Sequence, residues 1–112
     1  MPRNTDDAEV ALLAFALVDE NNTRFINRQV DDCLSDAASE LLYHLRTRAA
    51  SARSVGPAFD ARLMMASPEC CALAERIESV TIAELVAVGT FPIVLSVFED
   101  RARQFRQRRW AA

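Results

Sequence analysis

Only two glycines, at positions 56 and 89, punctuate this chain of 112 residues. Tight β-turns draw on glycine for positive φ, so a meandering β fold has almost no material for its corners. Nineteen alanines and eleven leucines supply strong helix formers instead. The expectation is an all-α protein. At this length a single helical domain spanning 1–112 is enough to bury a core. An apolar fraction of 51% with a net charge of only −3 excludes a disordered chain.

Periodicity then divides the chain into helices. Thr5, Asp6 and Asp7 offer caps and first-turn acids for a helix over about 6–20. Val10, Leu13, Ala14, Leu17 and Val18 make one stripe on it, and Leu12, Phe15 and Ala16 widen that stripe nearly all the way round. Such a helix needs burial on two sides, inside a core or against a partner. Asn21-Asn22-Thr23 breaks it. Ile26, Val30, Cys33, Leu34, Ala37, Leu41, Leu42 and Leu45 keep helical spacing over about 24–53, a helix of roughly 40 Å at 1.5 Å per residue. A helix that long in a chain this small borrows packing from a second copy, so the length argues for a homodimer.

Ser54-Val55-Gly56-Pro57 stops that helix, and a short helical segment is expected over 58–66. Ser67-Pro68-Glu69 restarts the chain with a cap, a first-turn proline and an acid, followed by the stripe Cys70, Leu73, Ala74 and Ile77. Thr81 to Glu84 spells a capping box, with Val80 and Leu85 placed as its hydrophobic staple. That helix ends near Gly89. Thr90-Phe91-Pro92 opens a last helix to about Trp110, with Val94, Leu95, Phe98, Ala102 and Phe105 on one side. Ile93 to Phe98 alone also fits a strand, but the arginine-rich continuation and the want of a partner strand favour helix. The sum is a small bundle of about five to six helices with one long central helix.

The compartment expected is the cytoplasm. MPRNTDDAEV has neither the basic start nor the apolar stretch of a signal peptide. The longest apolar run, Val10 to Val18, is about half of a membrane span. Three cysteines are an odd number, two of them adjacent at 70 and 71, as befits reduced, buried thiols rather than bridges.

Charge is distributed unevenly. All thirteen cationic side chains are arginines, a codon signature of a GC-rich bacterial genome. Residues 1–100 carry eight arginines against sixteen carboxylates, net −8, while residues 101–112 carry five arginines and no acid. An acidic body therefore ends in a basic helix. Arg101, Arg103, Arg106, Arg108 and Arg109, with Phe105 and Trp110 among them, would meet phosphates or an acidic protein surface. Repulsion from the body makes unaided nucleic-acid binding weak, so direct DNA contact is not the expected role.

Catalytic equipment is scarce. Asp36, Glu40, His44 and Arg48 recur every four residues, which reads as a proton-transfer pair, half a metal site or, more economically, a solvated ladder of ion pairs. There is no second histidine and no Cys-x-x-Cys, so no metal, cofactor or catalytic residue is expected. Isolated glycines cannot form a phosphate loop. Cys70, near a helix N-terminus, would have its thiol pKa lowered somewhat.

Arg62-Leu63, Ser67-Pro68-Glu69, Val80-Thr81, Leu85 and Val94 to Phe98 together resemble the flagellar transcription regulators of the FlhD family, with Met64 where that family has glycine. The resemblance spans residues 62–100 and implies an all-α homodimer that grips another transcription regulator. In size, helicity and lysine-free composition the chain is also similar to quorum-sensing antiactivators of the QslA kind. That likeness implies binding to a LuxR-type activator and blockage of its dimerisation or DNA binding.

The function expected is a non-enzymatic regulator that binds a transcription factor. Leu12, Phe15, Ala16, Phe25, Tyr43, Phe105 and Trp110 are its expected contacts, since apolar and aromatic residues anchor interfaces. Two alternatives are a DNA-contacting accessory factor that uses the arginine tail and a phage-type inhibitor of a host complex.

Overall fold

A computed structural model describes residues 6–19, 21–49 and 64–111, and among these it contains seven helices and no strand. They are α1 (Asp7–Val18), α2 (Asn22–Phe25), α3 (Arg28–Asp31), α4 (Asp36–Ala49), α5 (Pro68–Glu78), α6 (Ile82–Val88) and α7 (Phe91–Ala111). The fold is all-α. The stop at 54–57 and positions 58–63 of the expected short segment lie outside the described residues. Met64 and Met65 form a turn, with Met65 at φ 57°.

The central element is α1. Asp6 caps it by accepting from the Glu9 amide at 2.9 Å, and the Asn22 side chain closes it by donating to the Phe15 carbonyl at 2.8 Å. Helices α4, α5, α6 and α7 all pack against it. Most of its all-round apolar surface is therefore consumed by its own chain, with Val18 at its end left 68% exposed. Leu12 and Leu13 are fully buried, and Ala11, Ala14 and Ala16 nearly so. Each leucine buried this way contributes about 1.5–3 kcal/mol. Phe15 is half-buried, its ring 5.8 Å from that of Phe91. This corrects the placement of Leu12, Phe15 and Ala16 on a partner surface: they belong to the core and its margin.

Over 24–49 the long helix expected is three helices, and its positions 50–53 lie outside the described residues. Asn27 is extended (φ −65°, ψ 144°), and its side chain caps α3 by accepting from the Gln29 amide. Ser35 then starts α4, its hydroxyl accepting from the Ala38 amide at 3.2 Å. The apolar spacing persisted because Asp32 keeps right-handed helical dihedrals across the break. Arg46 clamps the interrupted stretch, donating to the Asp31 carboxylate at 2.7 Å and to the Ile26 carbonyl at 2.9 Å. With the 40 Å helix gone, the length argument for a dimer goes too.

Glu9 is a core residue that periodicity did not single out. Fully buried on α1, it accepts from the Ser35 amide at 3.2 Å, at the head of α4. A buried carboxylate survives only where donors replace its lost water.

The later punctuation matches expectation. Ser67 caps α5 with Pro68 in its first turn, and the Thr81–Glu84 capping box is complete in both directions. Gly89 ends α6 at φ 137°, a region closed to other side chains, and a Cβ there would approach Ile93 Cγ2 to 3.3 Å. Across that elbow α6 and α7 meet at a 51° bend. Among the described residues no single helix is long and apolar enough to cross a membrane.

Candidate functional site

Helix α7 has two halves of different character. Val94, Phe98 and Ala102, spaced by four, bury one stripe against α1 and α3. Beyond Ala102 every described side chain is exposed. The last two turns thus run on as a helix without a core beneath them.

The arginines divide the same way. Arg101 donates to the Asp6 carboxylate at 3.0 Å and lies 4.9 Å above the Phe98 ring, so it anchors α7 to the head of α1. Arg103 pairs with Asp100 at 3.1 Å within its own helix. Such exposed pairs contribute at most about 1 kcal/mol. Among the described residues Arg106, Arg108 and Arg109 pair with no carboxylate, which leaves three guanidiniums outside any ion pair.

Grooves flank this half on both sides. One, of about 460 Å³, lies between Asp32, Cys33 and Leu34 on one wall and Arg101, Gln104, Phe105 and Arg108 on the other. The second, of about 240 Å³, places Phe25 and Gln29 opposite Glu99, Arg103 and Arg106. Phe25 is 65% exposed and Trp110 89%. Phe105 and Phe25, distant in sequence, thereby line the two grooves on either side of α7, with Trp110 exposed in its last turn. Tyr43 does not join them: it stands exposed on α4 with its ring against His44. A further exposed apolar set went unnoticed in the sequence because it reads as ordinary core spacing: Ile82 and Val86 on α6, with Ile93 and Val97 on α7, flank the Gly89 elbow.

A different group gathers between α4 and α5. The expected ladder of ion pairs on α4 does not account for Glu40, which turns to the next helix. Its carboxylate accepts from the Ser67 amide at 3.1 Å and from the Ser67 hydroxyl at 2.6 Å. Ser67 in turn caps the Cys70 amide. The Ser67 hydroxyl bond chiefly holds the Glu40 carboxyl below the usual range; burial opposes this, and the Ser67 amide and His44 assist. Cys70 goes the other way from the lowering expected at a helix head. Desolvation first, then the Glu40 and Cys71 charges, push its thiol up to about 12. At neutral pH it keeps its proton, and it is fully buried, which is poor preparation for a nucleophile.

No protein family, curated protein or solved structure matches the chain.

Proposed function

We propose that this chain is a non-enzymatic regulator that works by binding another protein, a transcription regulator, through the outer half of α7. The observation that carries this is the bare extension of α7 past Ala102, with three unpaired guanidiniums, two exposed aromatic rings and a groove on each side. Tryptophan, tyrosine and arginine dominate binding energy at interfaces, and a helix held rigid by its inner half presents them at low entropic cost. The partner surface is acidic, with apolar side chains that enter the grooves. In the same proposal two copies pair across the apolar elbow formed by Ile82, Val86, Ile93 and Val97. The protein works in the cytoplasm, where its free thiols stay reduced.

Protein is favoured over DNA by arithmetic. Three free arginines give a salt slope of about −2.7, so affinity falls only about 40-fold between 50 and 200 mM salt. A dedicated DNA binder, with six to ten phosphate contacts, loses about 10³–10⁵ over that range. An acidic body weakens the attraction further.

Affinity capture from the native cell, followed by reconstitution of the captured regulator with the purified chain, tests the proposal. A stoichiometric complex stable at 150 mM salt supports it. Tight, steeply salt-dependent binding to duplex DNA, with no regulator retained, overturns it in favour of the accessory-factor role. Light scattering tests the pairing: twice the chain mass for the wild type, and one chain mass for Val97→Asp.

A further inference from the structure

Helices α4 and α5 assemble three ligating groups of three chemical kinds. Glu40 and His44 stand one turn apart on the same face of α4, and Cys70 enters from the first turn of α5. A carboxylate oxygen, an imidazole nitrogen and the Cys70 sulfur all lie within 4.8 Å of one another. We propose that Glu40, His44 and Cys70 form a zinc site, with water as the fourth ligand. The proposed docking role does not use these residues, so the site stands or falls separately.

The chemistry fits the donors. Zinc takes oxygen, nitrogen and sulfur together in a tetrahedron, at about 2.0–2.3 Å from each. Ligand atoms then sit about 3.2–3.6 Å apart, so these side chains need to close by about 1.6 Å at most. The histidine makes that adjustment by side-chain rotation, because it is only half-buried.

Orientation is already supplied from behind. The two hydrogen bonds from Ser67 fix the Glu40 carboxylate, and each of its oxygens keeps a second lone pair for the ion. Cys70 forms the floor, with the half-exposed Glu40 and His44 at the entrance. Charge also balances, since one carboxylate and one thiolate cancel the dication and leave the buried site neutral.

Binding is a ligand exchange with no change in oxidation state. The hydrated ion loses waters to the three side chains, the Cys70 S–H bond breaks, a Zn–S bond forms, and the proton passes to the buffer. The ion would then tie α4 to α5 and stabilise the fold by mass action.

The test uses the full reduced chain after chelator treatment. Zinc is titrated calorimetrically in two buffers of different ionisation enthalpy, and cobalt(II) is added in a parallel spectroscopic titration. The expected result is one site, release of about one proton per zinc, and a near-ultraviolet sulfur-to-cobalt band. Cys70→Ala should abolish that band and weaken zinc binding at least tenfold. Should Cys70→Ala fail to fold, His44→Gln keeps the thiol and should show the same loss of affinity. Absence of the cobalt–sulfur band in the wild type, or zinc affinity unchanged in His44→Gln, overturns the proposal.

Discussion

Helices α1 and α7 begin with similar apolar content and end in opposite situations. α1 has helices packed around it, and even its glutamate at position 9 is buried. α7 spends its first three turns on the core and then leaves it. The more apolar of the two is thus the less available to a partner. What decides availability is how many neighbours a helix has, which periodicity along one segment does not report.

The comparison breaks first on large truncations. Leu12→Ala in α1 and Phe98→Ala in the inner half of α7 should each cost about 2–5 kcal/mol, read by denaturant or thermal unfolding. A loss under 1 kcal/mol at Leu12 would return α1 to the surface. Next come substitutions that keep volume but break a local rule. Glu9→Gln should cost about 1–3 kcal/mol by weakening the charged bond to Ser35. Gly89→Ala should cost a similar amount, about 1–3 kcal/mol, by forcing a side chain into the positive-φ elbow.

A smaller effect depends on pH. The Glu40 carboxyl is held below its ordinary range by Ser67, so its contribution is present above that range and fades as pH falls through the lowered value. Glu40→Gln should therefore lower stability at neutral pH and flatten the acid limb of the stability curve below about pH 4.5. Parallel acid limbs for the two proteins would contradict this. Smallest of all, Trp110→Ala and Arg106→Ala should change stability by no more than about 0.5 kcal/mol, which would confirm that the outer half of α7 is not core.

The helical class, the start of α5, the capping box of α6 and the extent of α7 were legible in the sequence, because each is written in local chemistry. Ser67-Pro68, Thr81 with Glu84, and an uninterrupted arginine-bearing stripe need no tertiary information. The break at Asn27 and Ser35 was not legible. Near-helical turns preserve apolar spacing across it, and Asn27 announces its cap only through its backbone conformation. Glu40 and His44 were legible as a pair one turn apart on α4, half a metal site among its readings, but the approach of Cys70 from α5 was not, because it rests on tertiary packing. The arginine tail showed in the sequence as a charge imbalance, but which arginines are spent on Asp6 and Asp100 is a matter of packing.

The central claim is that the half of α7 past Ala102 is a docking surface. Amide hydrogen exchange on the purified chain, free and then bound to its captured regulator, tests this most directly. Slowed exchange on binding across residues 103–110, together with the facing segment 25–34, is the predicted result. Exchange unchanged over 103–110 while another surface becomes protected would contradict the account.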